Sequence, residues 1–220
     1  MRVERIPKKL AQTVVEAKHY SRRLGIFWEG FGLYDSGALL GVCCFGQPSA
    51  PIQKHAFRDR DFRLYELTRL VVERGVANGA SVLISGALRQ LSVRPAAVIS
   101  YADSAHGHCG IVYQATNWLY TGAVKAHDSL YLIDGVPTHP MTLRDKLGVL
   151  DPAAWAKANN IEKIPPAEKH RYFTFVGTKA DKARMLSALA YPRVAEYPKK
   201  DKSLYPEGPT VAQLLGEDLA

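Results

Sequence analysis

Residues 64–101 constrain this chain more than any other stretch. LYELTRLVV (64–72) alternates in polarity and becomes β-branched towards its end, which predicts a strand. Gly75 and Gly79 bracket a short loop. ASVLISGALRQL (80–91) follows, where Val82, Leu83, Leu88 and Leu91 mark a helix packed on a sheet. Ala96–Tyr101 is a second apolar strand. A strand that passes through a glycine-bearing turn into a helix leaves free amides at the helix start, and the helix dipole favours an anion there. The backbone of Val76, Asn78, Gly79, Ala80 and Ser81 occupies that position and is the predicted anion or cofactor cradle.

The flanks extend the pattern. Pro7–Lys18 has helical spacing, with proline suited to a first turn. Phe31–Tyr34 and Ala38–Phe45, joined by Asp35-Ser36-Gly37, read as a hairpin. Residues 46–61 read as a loop. Residues 110–119 read as a helix, 120–124 and 130–133 as short strands, 170–176 as a strand and 179–189 as a helix. Residues 134–170 hold several prolines and scattered charge, and read as an irregular insertion with helical patches at 142–147 and 153–159. The expected architecture is α/β: a mixed, V-shaped central sheet flanked by helices on both faces, in one domain over 1–190. Residues 191–220 are expected to form an extended basic tail.

No long apolar run follows the basic residues of the N-terminus, and no stretch approaches the ~18 apolar residues of a membrane span. The three cysteines, Cys43, Cys44 and Cys109, draw neither a disulfide framework nor a zinc pair. A reducing cytoplasm is expected, with Cys43 and Cys44 as small strand hydrophobes. The formal charge of +8 points to an anionic partner. The basic segments 54–63, 163–171 and 199–202 suit phosphate contacts.

SYADSAHGHCGIVYQATNWLYTG (100–122) carries the densest chemistry. Tyr101 and Asp103 share a side of the strand, at the carboxyl end where ligands of open α/β sheets sit. Asp103 is a candidate general base or orienting group, and His108 a proton shuttle. His106 reads as an exposed loop residue, and Trp118 as core. Tyr113 and Asn117 are four apart on the expected helix and share its face. Gln114 and Asn117 could bond an adenine edge, and Tyr120 could stack on a base. Ser100 completes the substrate-binding set. Glu66 and Arg69, an odd number apart on a strand, are expected on opposite faces. Arg69 suits a phosphate or carboxylate. His19, Tyr20, Tyr101 and Asp103 could converge as a mixed nitrogen and oxygen site suited to iron.

The layout resembles the GNAT acyltransferase fold. More closely, His19-Tyr20-Ser21, Phe31–Tyr34, Gly41–Gly46, Glu66–Leu70, Ser100–Asp103, Gly107-His108 and Tyr113–Trp118 resemble the Mom family of phage DNA-modification proteins. The likeness covers roughly residues 10–190, most of the chain. It implies addition of a carbamoylmethyl group to the exocyclic N6 of adenine in DNA, with the base flipped out or single-stranded, protecting phage DNA from host restriction. It adds His19 and Tyr20 to the catalytic set. The GNAT likeness implies acetyl-CoA or a related acyl donor, Glu66 as general base, and Tyr113 as the group that protonates the CoA sulfur. Ala77 stands where the first glycine of the GNAT pyrophosphate motif would be, and Gly79 matches the second. An ordinary GNAT N-acetyltransferase acting on a small amine or a protein is the alternative reading.

Overall fold

The computed structural model describes residues 1–125, 129–165 and 168–199. Its elements, in chain order, are β1 (Arg2–Arg5), α1 (Lys8–Lys18), β2 (Glu29–Asp35), β3 (Ala38–Gly46), α2 (Ala50–His55), β4 (Arg63–Val72), α3 (Gly79–Arg89), β5 (Ala96–Asp103), α4 (Ile111–Ala115), β6 (Leu119–Lys125), β7 (Leu130–Ile133), β8 (Val136–Thr138), α5 (Pro140–Leu147), α6 (Pro152–Ala158), β9 (Lys163–Ile164), β10 (Glu168–Val176) and α7 (Lys179–Ala188). A seven-stranded sheet runs in the order β1-β2-β3-β4-β5-β10-β6. Every pairing in it is antiparallel except β4 with β5. This is the mixed α/β architecture expected from the sequence.

Both sheet faces are buried, so the strands read as nearly continuous apolar runs. On β3, Cys43 and Phe45 face α3 and pack against Leu83, Ile84 and Ala87. Val42 and Cys44 face α1 and pack against Ala11 and Val15, which lie four apart on one helical stripe. Further along the sheet, α2 and α7 cover Ala97, Ile99 and Phe173 with Ile52, Ala56, Met185 and Leu189. A capping box between Thr178 and Asp181 starts α7. All three cysteines are buried and free.

Two irregularities open the sheet at its middle. The parallel ladder between β4 and β5 runs only from Arg63↔Ala96 to Glu66↔Ile99, and beyond it the strands separate. This is the expected V. On the other side of β4, Cys44 pairs with Arg69 and Phe45 with Leu67, so Thr68 is an extra residue, a β-bulge. Its hydroxyl donates to the Cys44 carbonyl at 3.1 Å. Cys44 and Gly46 lie on one face of β3, and so do their partners Arg69 and Glu66. The expectation that Glu66 and Arg69 face opposite sides is therefore corrected, because the bulge restores a common face.

Other local expectations also shift. β1 has no strong sequence signal, yet pairs with β2. The loop expected over 46–61 contains α2. The helix expected over 110–119 stops at Ala115: Asn117 takes a left-handed φ of 57°, and Leu119 already opens β6. Tyr113 and Asn117 thus share no helical face. The expected strand at 130–133 is β7, and the helical patches expected at 142–147 and 153–159 are α5 and α6; what the irregular reading of 134–170 missed is β8 and β9, which complete a small sheet, β8-β7-β9, beside a core of Tyr131, Leu143 and Ala156. As far as it is described, the tail expected to be extended is bound to the sheet edge. Val194 N–H donates to the Tyr120 carbonyl at 3.0 Å, and Tyr197 O–H donates to the Trp118 carbonyl at 2.8 Å. Residues 200–202 of the basic tail lie outside the described residues.

Gly46 shows how tightly the bulge region is closed. A Cβ there would lie 2.0 Å from the Ile26 carbonyl oxygen. Gly46→Ala forces the 22–28 segment off the sheet, and the expected loss is about 1–3 kcal/mol of stability. Thermal unfolding by circular dichroism checks this; an unchanged midpoint would contradict the close approach.

Candidate active-site cleft

The separation of β4 and β5 leaves a cleft of about 530 Å³, lined by the end of α1, by residues 67–72 and 100–102, and by the start of α4. It sits where the carboxyl ends of two adjacent parallel strands diverge, as ligand sites of open α/β sheets do. Its two walls carry different chemistry.

One wall bears Arg69 and Tyr101, and Glu66 lies beside it on the same face of β4, at the last β4–β5 pair. Burial pushes the Glu66 carboxyl up to about 7, against the opposing pull of Arg69 and Lys169. A carboxyl balanced near neutral pH can both accept and release a proton there. Arg69 Nη1 donates to the Thr68 carbonyl at 2.6 Å and Nε donates to the Arg23 carbonyl, which ties the 21–25 loop to the bulge. Burial raises the Tyr101 hydroxyl, and Glu66 raises it further, so it stays protonated. Asp103, at the strand end, lies 3.6 Å from Lys169 Nζ.

α1 ends at this wall because the chain turns extended at His19. His19 is buried, and its Nδ1 accepts from the Ser21 backbone N–H at 3.1 Å, which assigns the ring proton to Nε2. Burial first, then Arg69 and the two neighbouring histidines, hold His19 down at about 3, so it is neutral at physiological pH. Tyr20 stacks between His19, with ring centroids 4.2 Å apart, and His106 at 4.0 Å; His108 meets it edge-on at 5.6 Å. Tyr20 is 46% exposed as a residue, but its hydroxyl sits in a desolvated place beside Asp103 and is raised well above its ordinary value. Burial lowers both His106 and His108, so both are largely neutral near pH 7. His106, expected as a bystander, thus belongs to the stack; its spacing two residues before His108 was the available signal.

The other wall is a fixed hydrogen-bond chain. Ser100 Oγ donates to the Leu67 carbonyl at 2.8 Å, so the 2.8 Å contact with Tyr113 must run from the phenol to Ser100 Oγ. Burial pushes the Tyr113 hydroxyl up to about 12 and keeps it a proton donor. Ser100, expected to bind substrate, ties Tyr113 to β4.

The remaining expected substrate residues lie elsewhere. Gln114 Nε2 donates to the carbonyls of Cys109 and Pro198, at 3.0 and 3.1 Å, and braces α4. Asn117 is exposed at the turn into β6. Tyr120 is buried under Tyr172 and Tyr197, with its hydroxyl 3.0 Å from His170 Nδ1. Trp118 is core, as expected. Arg171, in an expected phosphate-binding segment, is buried; it donates to Thr121 Oγ1 at 2.8 Å and stacks on Tyr191 at 3.4 Å. It is structural.

The cradle residues follow β4. Gly75 has φ 81° and Asn78 φ 57°, and a Cβ on Gly79 would meet Val76 and Val72 at 2.7 and 2.9 Å. Gly79 and Val82 donate to Val76 and Asn78, which leaves the Ala80 and Ser81 amides at the start of α3 without intrahelical partners. That backbone fits a phosphate-bearing group. The iron expectation finds no such fit. Among the described residues no group of three His, Cys, Asp or Glu side chains could hold a metal ion.

The linkage at Glu66 sets a stability test. Its folded value of about 7 lies above the ordinary 4.5, so the folded state loses stability as pH rises between the two, and the loss is complete above about 7. Glu66→Gln removes the buried charge. The variant is expected to be more stable than the parent at about pH 8, by roughly 1–3 kcal/mol, and little different near pH 4. Urea unfolding at the two pH values checks it; equal stability at the higher pH would contradict a desolvated carboxylate.

Comparison with known proteins places this geometry. Residues 1–199 match the Mom protein family. A relative from Escherichia phage Mu, named methylcarbamoylase mom, is 30% identical over 208 residues, which cover 90% of this chain and 84% of that protein. Among solved structures, Arabidopsis thaliana NAA60 in complex with a bisubstrate analogue covers 80% of this chain and 98% of its own, at TM-score 0.48 and 11% identity. A probable acetyltransferase from Staphylococcus epidermidis covers 80% and 99%, at TM-score 0.48 and 8% identity. With a family match that spans nearly all of it and a relative named as a methylcarbamoylase, this chain is a transferase and belongs to the Mom protein family.

Proposed function

We propose that this protein transfers a carbamoylmethyl group to the exocyclic N6 of adenine in DNA, and so shields phage DNA from restriction. The observation that carries the reading is the cleft lined by Arg69, Tyr101 and a protonated Tyr113, with Glu66, balanced at about 7, at the last β4–β5 pair beside it, in a chain related to a methylcarbamoylase. An exocyclic amine is a weak nucleophile and must shed a proton as its new N–C bond forms. Glu66, beside the wall of Arg69 and Tyr101, takes that proton. Tyr113 donates to the departing group on the other, and Ser100 holds its hydroxyl in place. Asp103, anchored by Lys169 at the strand end, orients the amine. Tyr20 and His106 form an aromatic platform for a base taken out of the stack. His108 can relay a proton. Arg69 supplies the positive charge of the cleft, for a phosphate or a carboxylate.

The donor is an acyl-CoA-type molecule or another carrier with a phosphate-bearing handle, held by the backbone of Val76 and Asn78–Ser81. When bound, it supplies the activated group. Iron has no part in the steps above. DNA is the partner, and the exposed basic residues of 54–60 suit its phosphates.

The test is nucleoside mass spectrometry of total DNA from a bacterial host that expresses the protein. Deoxyadenosine carrying a carbamoylmethyl mass is expected, and it should disappear with Asp103→Ala and with Glu66→Gln. Unmodified DNA from a soluble, folded protein, with transfer of acetyl to a small amine or a protein instead, would overturn the reading in favour of an ordinary N-acetyltransferase. The pH profile adds a second check. Glu66 must be ionised to accept a proton, so the rate should rise through about pH 7 and level off above it. In Glu66→Gln, any residual rate should lack that step.

A further inference from the structure

A second concave site lies at the opposite ends of the two central strands. It encloses about 350 Å³ and is bounded by Trp28, Gln53, residues 60–64 and residues 93–95. The cleft occupies the carboxyl ends of β4 and β5, whereas this pocket sits at their start, where Arg63 pairs with Ala96. A ligand here therefore leaves the cleft open.

Its charge is one-sided. Arg60, Arg63 and Arg94 line it, and Asp61 is its one acidic lining residue. Asp61 is already engaged by Arg184. Among the described residues none of those three guanidinium groups has a carboxylate partner: Arg94 reaches only the Arg89 carbonyl, at 3.4 Å, and Arg63 lies over the Trp28 ring at 5.0 Å. Three exposed, unneutralised guanidinium groups around one hollow repel one another, and an anion between them would relieve that repulsion. Guanidinium is the side-chain group that best matches phosphate oxygens, two at a time.

The fourth feature is aromatic. Trp28 is 36% exposed, although its backbone N–H is fixed to the Phe45 carbonyl at 2.8 Å and its ring rests edge-on against Tyr65 at 5.6 Å. A tryptophan held rigid at the rim of a cationic hollow presents a flat surface to a planar ligand group. We propose that this pocket binds a nucleotide unit, with its phosphate on Arg60, Arg63 and Arg94 and its base or sugar against Trp28. The unit comes either as a free mononucleotide or as a residue of a nucleic-acid strand.

Tryptophan fluorescence of the full chain reads the site, because Trp118 is fully buried and Trp155 packs within the small α5–α6 core. The probes are deoxyadenosine monophosphate, inorganic phosphate and a single-stranded oligothymidylate. Saturable quenching by at least one nucleotide probe is expected, with inorganic phosphate competing. The charge reversal Arg60→Glu/Arg94→Glu should weaken it at least tenfold, and Trp28→Phe should remove the signal. Quenching by the oligothymidylate alone assigns the source to a strand, and quenching by the mononucleotide assigns it to a free nucleotide. Asp103→Ala, in the cleft, should leave the affinity unchanged. No quenching by any nucleotide probe, or equal affinity in the charge-reversed protein with an unaltered melting profile, would overturn the proposal. DNA modification is not the readout, so the outcome is independent of the proposed reaction.

Discussion

Everything in the cleft depends on where β4 stops pairing with β5. Glu66↔Ile99 is the last parallel pair, and on its other edge β4 carries an extra residue, Thr68, against Cys44. Without the bulge, Arg69 would turn into the apolar layer under α3 and leave the face of Glu66. Without the separation, the backbone of residues 67–70 would be sealed by a neighbouring strand. The two irregularities together convert a closed sheet into a slot with a cation and phenols on its walls and an acid at its edge.

The slot is built on contrast. A carboxyl raised by burial, a tyrosine kept protonated and a histidine kept neutral all arise from one cause, the scarcity of water between two packed helical layers. Such a site is costly to keep, because each charged form is disfavoured by its surroundings. Sites of chemistry commonly carry this cost, and the surrounding sheet, with apolar residues on both faces, supplies the stability that offsets it.

Much of this was legible in the sequence. Hydrophobic alternation located the central strands, Asp35-Ser36-Gly37 located the hairpin turn, and the polar run after Tyr101 located the cleft. Three things were not. A bulge leaves no mark in residue alternation when both faces are apolar, so the common face of Glu66 and Arg69 could not be counted from their spacing. The helix at Ile111–Ala115 was read too long, because nothing short of the left-handed Asn117 signals its end. Gln114 and Tyr120 look like base-reading groups by type, yet they are consumed by hydrogen bonds to the tail and to His170. Long-range partners decide such roles, and sequence spacing does not carry them.

That tail has a consequence for how the chain can vary. Residues 191–198 hold the outer edge of the sheet through Tyr120 and Trp118, and reach α4 through Gln114. The helix that carries Tyr113 is thus fastened from behind by a segment some eighty positions further along the chain. Translation must reach that segment before the back of the cleft can be locked, so the protein acquires its finished site only as the last part of its described fold is made. Truncations that spare every residue of the cleft would still remove the Pro198 brace behind the helix that carries Tyr113.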